Sequence, residues 1–261
     1  LGGAFLGAVV ASACSNPWVG ILAAPVAGVL VALLLALFGL RYRVNQIVVG
    51  VVLNVLVSGL TGFLFSTFLS SSPSLNRALR LPTLAVPLLS RIPIIGPVLF
   101  RQTILVYLMY AAVAVLSVML FRSRWGLRLR ACGEHPKAAD TVGINVMRTR
   151  VANLALAGAL AGLGGAFFTV GSGLSFENDM TAGNGYIALA AMILGAWRPL
   201  GSLGAALLFG FATSVAQTLP VIGSSVSPDI ISMIPYIVTI LAVAGFVGKV
   251  RAPAAEGVPY P

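Results

Sequence analysis

Charge is scarce in this 261-residue sequence: lysine, arginine, aspartate and glutamate together make up 8% of it, and the acids number only six. Soluble domains carry about 25% charged residues, so a water-soluble globular fold is excluded. Histidine occurs once and cysteine twice. His135 has no cluster of cysteine, histidine or carboxylate around it, so no metal site is expected and a loop or helix-cap role is. Cys14 falls at a span end and Cys132 in a basic loop facing the opposite side of a membrane, which argues against a disulfide between them. No catalytic constellation is visible. A phosphate-binding loop needs Gly-Lys-Ser/Thr, but the one Gly-Lys pair, Gly248-Lys249, is followed by Val250. Any ATP must therefore be handled by another chain. Ion-coupled carriers place acids, histidine or arginine inside the membrane. Here Glu134, Asp140, Glu177, Asp179, Asp229 and Glu256 all fall in loops, at span ends or in the tail, which argues against energy coupling within this subunit.

What is present is apolar: 59% hydrophobic residues and a mean hydropathy of +1.02. Arg41 is the first charged residue, and Val44 to Asn76, Val151 to Phe176 and Pro199 to Pro228 are also uncharged. A bilayer span needs only ~20 such residues. Eight apolar segments follow, roughly 2 to 14, 18 to 40, 45 to 69, 102 to 121, 148 to 170, 185 to 197, 202 to 219 and 230 to 248. The fold class is all-α: a polytopic transmembrane helical bundle. The chain begins inside an apolar run at Leu1, and a missing N-terminal piece is expected; Val9 to Cys14 resembles the end of a secretory signal but has no charged region before it.

The basic residues number sixteen, for a net charge of +10. They lie between spans, as membrane orientation requires, so nucleic acid is not the expected partner. Alternating the segments across a bilayer, with Arg41 and Arg43 inside, puts twelve of the sixteen on one side; Arg77, Arg80, Arg91 and Arg101 fall in a long outer loop from about 70 to 101. Both observed termini are then cytoplasmic. The outer loop holds Pro73, Pro82, Pro87, Pro93 and Pro97, which block a continuous helix. A cap beside a pore and a plain basic loop both fit it. Gly3 with Gly7, Gly158 with Gly162, Gly164 with Gly165, and Gly201 with Ala205 provide small residues that let helices approach closely in lipid.

Two stretches bear on function. Gln46, Gly50, Asn54, Ser58 and Thr61 share one face of the third segment, forming a neutral polar stripe that either lines a path or bonds neighbouring helices. In the inside loop, Pro136 suits a first helical position and Gly143 a left-handed stop, so a helix of about seven residues, Pro136 to Val142, is encoded. So short a helix is marginal alone and must be held by something, a partner surface being a natural candidate. Asn145 can cap the helix that follows.

The string "RACGEHPKAADTVGINV" around this helix resembles the coupling-helix region of permease subunits of bacterial ATP-binding-cassette importers of the branched-chain amino acid, simple sugar and nucleoside type. Three further stretches, "NPWVGILAA" (16 to 24), "RYRVNQIVVGVVLN" (41 to 54) and "GYIALAAMILGAWRPLGSLGAALLFGFA" (185 to 212), are similar to the same family. With "IPIIGPVLF" (92 to 100), they look most like its nucleoside branch. The resemblance implies a single transmembrane permease domain over 1–261, with 122–150 as its cytoplasmic coupling loop. It implies a transport subunit rather than an enzyme, in a bacterial inner membrane. The partners implied are an ATP-binding subunit carrying ATP and Mg, a second permease subunit, and an extracytoplasmic substrate-binding lipoprotein. Glu134, Pro136, Lys137, Ala138, Ala139, Asp140 and Gly143 are then the coupling residues, with Ala138 and Ala139 forming a small face for a partner groove. For the substrate path the candidates are Gln46, Asn54, Ser58 and Thr61, with Phe167, Phe168 and Tyr186 as aromatic neighbours for a base. Neutral polar groups suit a neutral solute that must be released in each cycle. A simple-sugar or branched-chain amino acid permease, and a self-sufficient secondary carrier or channel, are the alternatives.

The topology is directly testable. With Cys14 and Cys132 removed, Ser71→Cys and Glu177→Cys are expected to react with an impermeant thiol reagent in intact cells and Thr141→Cys to stay unlabelled; labelling at 141 reverses the orientation.

Overall fold

The computed structural model describes residues 1–85, 100–221, 252–258 and 260, with Met233, Ile237 and Ile240 as isolated further positions. Most of the eighth apolar segment, 230–248, most of "IPIIGPVLF", and Pro87, Arg91, Pro93, Pro97, Asp229, Lys249 and Arg251 lie outside the described residues.

The other seven segments are helices. Helix α1 covers Gly2–Ala13 and α2 Pro17–Ala36; α3 covers Gln46–Leu64, α4 Ile104–Arg122, α5 Arg124–Glu134 and α6 Pro136–Thr141; α7 covers Val146–Ala166, α8 Asn184–Leu194 and α9 Pro199–Val221. Asparagines start three of them. Asn16 accepts from the Trp18 N–H at 3.0 Å, Asn45 from the Ile47 N–H at 2.9 Å and Asn145 from the Arg148 N–H at 2.8 Å. Each satisfies an amide that the helix itself leaves open. Helices α2, α3 and α7 end in π-helical turns, Leu37–Arg41, Phe65–Leu69 and Phe167–Gly171. With those turns included, five helices are long and apolar enough to cross a membrane: Pro17–Arg41, Gln46–Leu69, Ile104–Arg122, Val146–Gly171 and Pro199–Leu219. Helices α1 and α8 are shorter. Large apolar side chains such as Leu22, Ile47, Val55 and Phe211 stand exposed on these helices; so many on long apolar helices are at home in hydrocarbon.

The chain divides into two compact units, one of Leu1–Tyr110, Arg128–Ala182 and Ala255–Pro261, the other of Ala111–Leu127 and Gly183–Ala254. In the first, α1, α2 and α7 meet backbone to backbone. A Cβ added at Gly28 would collide with the Gly158 carbonyl, one at Gly3 with the Gly162 carbonyl and one at Gly162 with the Ala24 carbonyl. At Gly20 it would stand 2.5 Å from the Gly7 oxygen and at Gly165 2.8 Å from the Ala4 nitrogen. Pro25, inside α2, lies at the same contact, 3.0 Å from the position of a Gly162 Cβ. The expected small pairs are thus contact points, except Gly164, around which nothing lies within 4 Å. Thr169 completes the join, donating to the Ala4 carbonyl oxygen at 3.3 Å.

In the second unit α8 packs on α9 through Ala191, Ala205 and Phe209. The loop between them brings the Gly195 carbonyl against Gly201, where no Cβ fits.

Two short strands were not foreseen in the sequence. Thr83–Ala85 pairs antiparallel with Arg101–Thr103, Leu84 opposite Gln102.

Gly162→Val is expected to force α7 off α2. Overpacking of a tight contact costs ~1–3 kcal/mol or more, measurable as a lower thermal midpoint of the purified chain in detergent, while Gly164→Val, in open space, is expected to leave the midpoint unchanged.

Candidate functional site

Helix α3 carries the polar stripe, and the structure divides it. Asn54 is exposed, and nothing lies within 4 Å of the position a Cβ would take at Gly50. Gln46 and Ser58 are half-buried, Gln46 lying against Gly39 with its Cγ 3.0 Å from a Cβ built there. Thr61 is 4% exposed and its hydroxyl donates to the Val57 and Ser58 carbonyls of its own helix, at 2.7 and 3.1 Å. Thr61 therefore belongs to the packed side of the helix, with Val49 and Leu53. The reason is local: a threonine hydroxyl in a helix can return to the preceding turn, so its polarity does not reveal which way the face looks.

Phe167 and Phe168 occupy the π turn that ends α7. Their rings meet edge to face at 6.4 Å, Phe167 exposed and Phe168 partly buried. Tyr186 belongs to the other unit, on α8, and is 66% exposed. A cavity of about 320 Å³ in the second unit is lined by Ser117, Phe121, Arg198, Pro199 and Leu200, none of them among the expected path residues.

At one end of the first unit the chain is stitched by side chains that the sequence did not reveal. Asn76 donates to the Phe176 carbonyl at 2.9 Å and accepts the Phe176 N–H at 2.7 Å, across 100 positions. Ser12 accepts the Arg77 N–H at 3.0 Å and returns a bond to the Arg77 carbonyl. Leu81 is buried with Ala11, Ile21, Leu105 and Val170. Residues 76–81 thus cover the ends of α1 and α7. The nearby Asn178 side chain lies against α3 at Gly62, its oxygen 3.1 Å from where a Cβ would stand.

The opposite, arginine-rich stretch contains α5, α6 and the start of α7. Helix α5 follows α4 through Ser123, whose Oγ accepts the Gly126 N–H at 3.1 Å. This basic helix is too short and too polar to stand out as an apolar segment in the sequence. Helix α6 is one residue shorter than the sequence suggests: Pro136 is at its first turn, Val142 caps it and Gly143 follows in the left-handed region at φ +83°. Glu134, Lys137, Ala138, Asp140 and Gly143 are exposed, as are Thr141 and Val142. Ala139 is not. It is 3% exposed, in a cluster with Cys132 and Val146, so the face expected to enter a partner groove is half turned inward. One face of a six-residue helix must anchor it to its own chain, and the small alanine is what lets α6 lie close. Burial pushes the Cys132 thiol up, against the smaller opposing effects of Thr149 and Arg150, which keeps it protonated and unreactive. Both cysteines are free, Cys14 exposed. Among the described residues no group of three or more His, Cys, Asp or Glu could hold a metal.

With this geometry in view, the sequence matches the family described as branched-chain amino acid transport system / permease component over residues 1–243. The chain belongs to that family. The guanosine ABC transporter permease protein NupQ of Bacillus subtilis is 39% identical over 251 residues, 94% of this chain and 77% of the relative. The nucleoside ABC transporter permease protein NupC of Lactococcus lactis is 41% identical over 249 residues, 94% of this chain and 78% of the relative. TsgC13 of Haloferax volcanii, provisionally assigned to glucose ABC transport, is 31% identical over 260 residues, 91% and 78% of the two chains. No solved structure matches. The permease is a multi-pass membrane protein and a transport subunit.

In this permease the two neighbouring alanines of α6 are expected to respond oppositely. Ala139→Trp overfills the Cys132–Val146 cluster and lowers the thermal midpoint, at a cost of ~1–3 kcal/mol; Ala138→Trp, on the exposed side, leaves it within experimental scatter.

Proposed function

We propose that the chain is one of two permease subunits of an ATP-driven importer of the bacterial inner membrane, with 1–261 as its permease domain, and that it moves nucleosides inward. The observation that carries the substrate is the pair of relatives at 39% and 41% identity over 94% of the chain, named for guanosine and for nucleosides. The neutral, exposed Asn54 and the aromatic Phe167 and Phe168 agree with a solute that offers hydrogen bonds and a flat base. A solute that must leave in every cycle is best met by few contacts of modest strength. Gln46 and Ser58 are assigned the flanks of the path.

For coupling, the exposed surface of α6, made by Lys137, Ala138, Asp140, Thr141 and Val142 with Glu134 beside it, is assigned to an ATP-binding subunit that carries ATP and Mg. Pro136 and Gly143 set the limits of that helix, and Ala139 seats it. Displacement of α6 would then pass into α7, which begins after four intervening residues. A substrate-binding lipoprotein on the outer side would deliver the solute. The glucose-assigned relative favours a simple sugar as the second reading.

Vesicles containing the chain, its partner permease and the ATP-binding subunit are expected to take up labelled guanosine, and not glucose, only when ATP and the loaded binding protein are supplied. Asn54→Leu is expected to lower that uptake about tenfold, as loss of a polar contact worth ~1–1.5 kcal/mol implies, with assembly intact. Ala138→Trp is expected to release the ATP-binding subunit. Uptake of glucose in place of guanosine overturns the nucleoside assignment.

A further inference from the structure

A segment far along the sequence closes over the coupling helix. The Ala255 N–H donates to the Gly133 carbonyl oxygen at 2.9 Å, in the last turn of α5, where carbonyls have no acceptor role within the helix. Arg150, in α7, donates through Nη1 to the Val258 carbonyl at 2.9 Å, 108 positions away. The same guanidinium stands over the Tyr260 ring, 5.9 Å from its centroid. Tyr260 packs against the cluster that Cys132 of α5, Ala139 of α6 and Val146 of α7 form together. The Asp140 carboxylate of α6 faces its hydroxyl, and burial with that carboxylate pushes the phenol's titration up. Ala255, Val258 and Tyr260 belong to the same compact unit as these helices.

A six-residue helix does not persist by its own propensity, and α6 buries only Ala139. A lever held by one methyl group would tilt under load instead of moving its neighbour. Tyrosine suits the missing seat: its ring offers an apolar body to the cluster and a face to the arginine, and its hydroxyl reaches the polar rim. We propose that this segment is a strap that locks the coupling helix onto α5 and α7, with Tyr260 as the positioning residue, so that a push on α6 is delivered to α7. The proposal rests on the coupling role given to α6 above and names the part of the chain that makes it rigid.

Cys132 is a native reporter, since it is 2% exposed beneath this contact. In the full chain carrying Cys14→Ser, purified in detergent, maleimide labelling of Cys132 is expected to be slow, and Tyr260→Ala to accelerate it about tenfold or more through local opening. Tyr260→Phe, which keeps the ring, is expected to label near the parental rate. Arg150→Gln, which removes the tie to Val258 without emptying the cluster, is expected to give a smaller rise in the same direction and serves if Tyr260→Ala does not fold. In vesicles with the ATP-binding subunit bound, uptake per ATP hydrolysed is expected to fall several-fold in Tyr260→Ala and little in Tyr260→Phe. Labelling that Tyr260→Ala and Arg150→Gln leave unchanged overturns the strap, as does faster labelling with undiminished uptake per ATP. Labelling needs no partner, so failure of the parental chain to bind an ATP-binding subunit would count separately, against the docking role of α6.

Discussion

The first unit depends on three helices touching through their backbones. In hydrocarbon there is no hydrophobic drive to bring α1, α2 and α7 together, since lipid tails are as apolar as the side chains; contact must come from dispersion and short polar approaches between main chains. Gly3, Gly28, Gly158 and Gly162 remove the atoms that would hold the axes apart, each facing a carbonyl of the neighbouring helix. The rest of the unit is organised around that contact. Leu81 seals against Ala11 and Val170 near the ends of the same helices, and Thr169 spans from α7 to Ala4.

The polar groups are handled with equal economy. A chain that places few charges in its spans still has to satisfy helix ends and hydroxyls, because an unpaired group in lipid costs several kcal/mol. Asparagines close the starts of α2, α3 and α7, and the hydroxyls of Thr61, Ser117 and Thr213 turn back to carbonyls one turn earlier. The hydroxyls that turn back are self-contained, and this is why a stripe of polar letters on a helix is a poor guide to what lines a path. Asn54 and Thr61 share a helical face on paper yet differ in exposure, because α3 packs at one level and is open at another.

The arginine-rich end follows a different logic. The surface of the short helix α6 is split: Ala139 goes inward, while Lys137, Ala138 and Asp140 stay outward. Both alanines are small and adjacent, so sequence alone left no ground for telling the exposed one from the one that seats the helix.

Much of the protein was determined by sequence alone. Long uncharged runs can only be helices in a bilayer, since every backbone group must be satisfied within the segment; Pro136 and Gly143 bracket α6 because one presets the helical φ and the other tolerates a positive one; the repeated glycines mark close packing. These features rest on local chemistry and periodicity. The tertiary structure decided which glycines are contacts and which, like Gly164, face open space. It also placed Thr61 and Ala139 inward, and brought Asn76 to Phe176 and Tyr260 to the cluster that seats α6. The ties from Asn76 to Phe176 and from Arg150 to Val258 join residues 100 and 108 positions apart, where neither spacing nor composition carries a signal, because the geometry arises only when separate helices pack.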